Sequence, residues 1–155
     1  VVLHFKFLIF LKKKRMDNKD RALSFFREGY NCAQAVTLTF TGQDSDTAKA
    51  AAGFGGGMGR MQKTCGALTG AYILFGRRHG TAGLPSEEEK KKVYDLIRKL
   101  NMKFVERNGT DLCSDLLGED INTPDGKSAI KSKGLTAKVC EKCISDVVEI
   151  IEKID

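Results

Sequence analysis

Thr64-Cys65-Gly66-Ala67-Leu68-Thr69-Gly70-Ala71-Tyr72-Ile73-Leu74-Phe75 is the stretch that decides the fold. As a helix it is apolar on nearly every side, and such a helix is satisfied only by burial all round. Thr64 offers an N-cap. Gly66 and Gly70 lie four residues apart on one face, where they let a second helix come close. The reading is a central apolar helix over 65–76 wrapped by others: an all-α, single-domain bundle of about five to six helices.

The flanks fit that plan. A first helix is predicted from Asn18 to Glu28, with Ala22, Phe25 and Phe26 on its inner face and Gly29 ending it. Asn31 with Gln34 three residues on forms a capping box for a second helix reaching Phe40. Asp44-Ser45-Asp46 reads as an acidic helix start, and 47–52 as a short helix running into glycines. Ser86 with Glu89 is another capping box, and Glu87 and Glu88 suit the positive end of the helix dipole. Val93, Leu96, Ile97, Leu100 and Phe104 then mark an amphipathic stripe that Asn108-Gly109 closes. Asp111 caps a turn over 112–117, and 119–134 reads as a loop with a turn at 122–126. A last helix is expected from near Thr136 to the C-terminus, with Cys140, Cys143, Val147, Ile150, Ile151 and Ile154 along one side.

Charge narrows the function classes. The 155 residues carry a net charge of +6, but five of those charges are Lys6, Lys12, Lys13, Lys14 and Arg15. The remainder is nearly neutral, whereas a domain that neutralises phosphates carries its basic charge on its folded surface. Nucleic-acid binding is not expected. The apolar run 1–11 precedes its basic residues, the reverse of a secretory signal, and is too short to span a bilayer, which takes about 20 residues. The expectation is a disordered or non-native tail over 1–15, a single helical cysteine-containing domain over 16–155, no transmembrane segment and a cytoplasmic setting. In a reducing compartment five cysteines read as reactive or metal-binding rather than as structural disulfides.

The cysteines recur at one kind of place. Cys32 follows Asn31, Cys65 follows Thr64, Cys113 lies two residues after Asp111, and Cys140 and Cys143 fall in the opening turns of the last helix. A helix start presents unpaired N–H groups and partial positive charge, which favours thiolate. Thiolate is both the nucleophile of disulfide exchange and a ligand for zinc or an iron–sulfur cluster. Cys140-Glu141-Lys142-Cys143 is a C-x-x-C pair, although no βαβ pattern surrounds it. Taken singly, each cysteine reads better as a small core residue; taken together, their repeated placement at helix starts favours chemistry. Cys65, with Arg60 and Lys63 nearby in sequence, is the candidate for the most reactive thiol.

Gly53-Phe54-Gly55-Gly56-Gly57-Met58-Gly59 cannot be a stable helix interior. The following Arg60-Met61-Gln62-Lys63-Thr64 approaches a P-loop, but Gln62 stands where glycine is required and no strand precedes it. Gly55, Gly56, Gly57 and Gly59 are instead expected to bring backbone close to the sulfurs, or to offer N–H groups to an anion or cofactor. His4 and His79 form no paired metal motif, and no serine nucleophile elbow is present.

The stretch 29–36, the glycine run, Cys65-Gly66-Ala67-Leu68-Thr69-Gly70 and Cys113-Ser114-Asp115-Leu116-Leu117-Gly118, followed by a late cysteine, together resemble the C_GCAxxG_C_C family of redox-active proteins. The resemblance covers about 20–152. It implies a small protein of bacterial or archaeal type, often encoded beside transporter genes, so that a redox partner or a transporter-linked protein is the expected associate. By that resemblance Cys32, Cys65 and Cys113 match three of four recurring cysteines. Cys143 is favoured over Cys140 as the fourth, because the residues after it resemble the family's closing helix. The leading expectation is a thiol-based redox protein, a thiol–disulfide oxidoreductase. The alternative is a metal site of Cys32, Cys65, Cys113 and Cys143.

Overall fold

The computed structural model describes residues 16–42 and 45–155, with Ser45 described by its backbone alone. The expected tail over 1–15, with His4, and Asp44 of the acidic helix start lie outside the described residues. Eight α-helices and no strand are found among the described residues, making an all-α single domain. They are α1 (Asn18–Glu28), α2 (Cys32–Thr41), α3 (Ser45–Ala51), α4 (Gly66–His79), α5 (Glu87–Asn108), α6 (Cys113–Leu117), α7 (Pro124–Lys133) and α8 (Lys142–Ile154). A 3-10 turn, Ala52–Phe54, continues α3, and a π-helical segment, Thr136–Glu141, leads into α8. Among the described residues no helix is long and apolar enough to cross a membrane.

Local signals account for most boundaries. The Asp17 carboxylate accepts from the Asp20 N–H at 2.8 Å, and Gly29 ends α1 at φ +111°. Both capping boxes close: Asn31 with Gln34, and Ser86 with Glu89. Three readings are corrected. The segment 119–134 is not a loop throughout, because α7 occupies most of it. Thr123 caps that helix through the Gly126 N–H at 3.0 Å, Pro124 takes its first position, and Gly134 ends it. Proline is at home there because that N–H needs no helical partner. Thr64 does not cap α4, since Cys65 holds the N-cap position. Asp111 does not cap α6, whose N-cap is Leu112. The Asp111 carboxylate instead accepts from Asn101 Nδ2 at 2.8 Å.

The main core joins α4, α5 and α8, with Leu68, Leu74, Phe75, Leu100, Phe104, Ile144, Val147 and Ile150 fully buried. The face of α4 that carries Gly66 and Gly70 lies on α2. A Cβ on Gly70 would come within 2.5 Å of the Ala33 carbonyl oxygen, and one on Gly66 within 2.2 Å of Cys32 Sγ. A smaller apolar cluster of Cys113, Leu117 and Ile121 is covered by Ile130, Leu135, Val139 and Cys140. The seam between the two clusters holds the site.

Candidate functional site

All five cysteines line one cavity of about 310 Å³ at that seam. Cys65, Cys113 and Cys143 are buried and Cys32 and Cys140 half-buried, and every one is a free thiol. Their placement follows from the local chain. Cys32 is the first residue of α2, directly after the Asn31 box. Cys65 and Cys113 are held together by a short antiparallel pairing: Cys65 N–H donates to the Asp111 carbonyl at 2.8 Å, and Cys113 N–H to the Lys63 carbonyl at 2.8 Å. Cys143 is the second residue of α8, and Cys140 lies in the π-helical segment one turn earlier. Such segments are common at functional sites. A bidentate ion pair from Arg27 in α1 to Glu141, at 3.0 and 2.6 Å, fixes the segment between the two cysteines.

The glycine run forms a left-handed turn. Gly56, Gly57, Met58, Gly59 and Arg60 have φ between +63° and +71°, and Gln62 has +54°. The three residues with side chains cost about 1–2 kcal/mol each in that conformation, so the turn persists only because its surroundings enforce it. Arg60 Nη2 donates to the Ile121 carbonyl at 2.5 Å, and Asn122 Nδ2 donates to the Arg60 carbonyl at 2.9 Å. Gln62 Nε2 donates to the Glu119 carbonyl at 2.8 Å, while its Oε1 accepts from the Ile121 N–H at 3.2 Å. The turn lies directly against the sulfurs. A Cβ on Gly57 would meet Cys113 Cβ at 2.7 Å, and one on Gly55 would meet Asn31 Cβ at 2.6 Å. Gly56 itself lines the cavity; Gly55, Gly57 and Gly59 do not.

Electrostatics run against the helix-start expectation. The N–H groups of Ala67 and Leu68 favour a Cys65 thiolate, but the Cys143 thiol hydrogen-bonded to it and burial push Cys65 well up. Burial pushes Cys113 and Cys140 each up to about 12. Cys32 is also raised, by burial and then by Cys65, while the N–H groups of Gly56, Ala33 and Cys32 itself oppose the rise. Desolvation of a charge in an apolar site outweighs the partial charge of a helix end. Cys65 is therefore not the most acidic thiol, and its expected cationic neighbours are differently placed. Arg60 lines the cavity and favours the thiolate of Cys113, whereas Lys63 is exposed and does not line it.

The sequence reading missed the cavity's apolar walls and its second cation. Phe26, Leu116, Leu117, Ile121, Ile130 and Val139 supply the walls, and Lys127 is the cation. Ile121, Lys127 and Ile130 fall in the segment read as a loop, and the Thr123-Pro124 helix start was the signal that reveals them. Among the described residues no three of His, Cys, Asp and Glu converge closely enough to hold one metal ion.

No curated protein and no solved structure matches the sequence significantly. Residues 30–154, which include every cysteine and the whole left-handed turn, match the family model described as Putative redox-active protein (C_GCAxxG_C_C), and the chain belongs to that family.

Proposed function

We propose that this protein is a thiol–disulfide redox protein whose cavity cysteines, at and near helix starts, pass between dithiol and disulfide. The observation that carries the reading is the convergence of five free thiols on one cavity, with Cys143 near enough to push the Cys65 thiol up. In the oxidative direction two thiols lose two electrons and two protons to an external disulfide, which leaves as two thiols. Cys32 is the entry thiol. It is half-buried where Cys65 and Cys143 are buried, and three backbone N–H groups favour its thiolate, the attacking species. Cys65 and Cys143 form the buried pair behind it. The setting is a reducing cytoplasm, and the partner is a redox protein or a transporter-linked protein.

The experiment is a redox titration of the full chain in buffers of defined thiol–disulfide ratio, with unreacted thiols counted by alkylation and mass spectrometry. Loss of thiols in pairs at one potential, abolished for one pair by Cys143→Ser, supports the reading. Five thiols that remain reduced throughout, or that oxidise only one at a time into mixed products, overturn it.

A second reading is a polynuclear cluster bridging thiolates of Cys32, Cys65, Cys113 and Cys143. It is favoured by the room the cavity leaves between sulfurs supplied by separate elements. A single zinc ion fits less well, since no three donors among the described residues share one point. Metal and sulfide analysis of anaerobically isolated protein distinguishes the cluster from the dithiol.

A further inference from the structure

Thiols account for the reactivity of the cavity but not for its charge. Two cations line it, Arg60 and Lys127, and no carboxylate does. The Arg60 guanidinium rests on neutral acceptors, the Ile121 carbonyl at 2.5 Å and Asn122 Oδ1 at 3.4 Å. Among the described residues the Lys127 ammonium has no hydrogen-bond or ion-pair partner. An exposed lysine alone is ordinary. Two uncompensated cations on an apolar, thiol-lined cavity form a complementary pattern for an anion that also reacts with sulfur.

We propose that the cavity takes a small organic disulfide bearing carboxylates, with a carboxylate held by Arg60 and Lys127 and the sulfur–sulfur bond presented to the cavity thiols. The proposal rests on the thiol-redox reading and names its substrate class. At about 310 Å³ the cavity lies at the small end of ligand pockets, which run from about 300 Å³ upward, so a small molecule suits it better than a polypeptide. Leu117, Ile121 and Ile130 suit the methylene links of such a ligand.

Gly56 ties the two ends of the site together. Its N–H faces the Cys32 sulfur, while a Cβ built on it would lie 3.0 Å from Arg60 Cγ. The arginine and the entry thiol thus flank a single residue. In the reaction Cys32 releases its proton to solvent, and its thiolate attacks one sulfur of the ligand. A Cys32–ligand disulfide forms as the ligand's own S–S bond breaks, and the departing thiolate takes a proton. A second cavity thiol, deprotonated in turn, attacks the Cys32 sulfur and releases the other half of the ligand as a thiol. The ligand disulfide is reduced to two thiols, and two protein thiols are oxidised to one disulfide.

The test compares initial oxidation rates of the reduced full-length protein with dithiodipropionate (anionic), hydroxyethyl disulfide (neutral) and cystamine (cationic). Dithiodipropionate is expected to react about tenfold faster than the neutral compound, with cystamine slowest. Lys127→Gln should bring the anionic and neutral rates to within about twofold of each other, while Lys92→Gln, a cation on α5 that does not line the cavity, should keep the preference. No anionic preference, a preference untouched by Lys127→Gln, or an equal loss in Lys92→Gln overturns the proposal. If none of the three disulfides oxidises the protein, it is the thiol-redox reading itself that fails.

Discussion

Replacing Gly70 with alanine tests the contact that brings Cys32 to the cavity. On helix propensity alone, glycine to alanine in a helix interior is favourable by about 1 kcal/mol. At Gly70 the new Cβ would lie 2.5 Å from the Ala33 carbonyl oxygen, 2.8 Å from its Cα and 3.0 Å from its carbonyl carbon. These neighbours are backbone, so no side chain can swing aside. An ordinary contact lies near 3.5–4.0 Å, so α2 and α4 must part by about 1 Å, which forfeits a quarter to a half of each contact across the interface. Overpacking of this kind costs about 1–3 kcal/mol and more where backbone must move. The net expectation is a loss of about 2 kcal/mol, or about 4–8 °C in Tm for a chain of this size. Gly76 is the internal control: it lies in the same helix and its Cβ would meet nothing within 4 Å. Gly76→Ala should stabilise by up to about 1 kcal/mol, and the difference between the two variants, about 3 kcal/mol, isolates the clash. Urea melts of the reduced protein followed by far-UV circular dichroism measure both, since the chain has no tryptophan. If Gly70→Ala is as stable as the parent, the close approach of α2 to α4 is not what the glycine serves.

Further expectations follow from the same contacts. Gln62→Leu removes the staple between the left-handed turn and 119–121, leaving the Glu119 carbonyl and the buried Ile121 N–H unpaired. A loss of about 2–4 kcal/mol is expected in the same urea melts. Gly66→Ala would put a Cβ 2.2 Å from Cys32 Sγ and must displace that sulfur. Alkylation of Cys32, quantified by peptide mass spectrometry, should change severalfold while helix content is retained. The raised thiols set a pH dependence: Cys113 and Cys140, near 12 when folded against an ordinary 9.0, favour the folded state while protonated. That stabilisation is complete below about 9 and is lost as pH rises towards 12. The reduced protein should therefore weaken steadily above pH 9, less so in Cys113→Ser and Cys140→Ser, and a flat stability profile from pH 8 to pH 11 would count against the burial.

Much of the fold was legible because its signals are local. A capping box or a left-handed glycine at a helix end involves only neighbours in sequence, and α1, α2 and α5 ended where such residues stand. The all-round apolar character of 65–75 and the Gly66–Gly70 spacing announced a helix packed closely on another. The misreadings arose where one local signal has two solutions. Thr-Pro-Asp-Gly is turn chemistry, and it is also an N-cap followed by proline at the first helical position. In 123–126 the second solution holds, because Ile130 and Leu135 then cover the Cys113 cluster. The left-handed turn was visible only as an absence of helix. What it does depends on Ile121 and Asn122, some sixty residues away.

The cysteines show where a local argument reverses. Each helix start that favours a thiolate is present around Cys32 and Cys65, yet every resolved shift is upward. A helix end contributes about half a charge and does so at each cysteine separately. Burial raises Cys32, Cys65, Cys113 and Cys140 alike, and a Cys65 thiolate further disfavours those of Cys32, Cys113 and Cys140. A disulfide removes two thiols without placing any charge in the cavity, whereas four thiolates together would set four negative charges against the two cations, Arg60 and Lys127, that line it. The burial that suppresses these thiolates disfavours charge in the cavity and leaves a neutral disulfide unpenalised, and that is the electrostatic support for the proposed dithiol–disulfide couple.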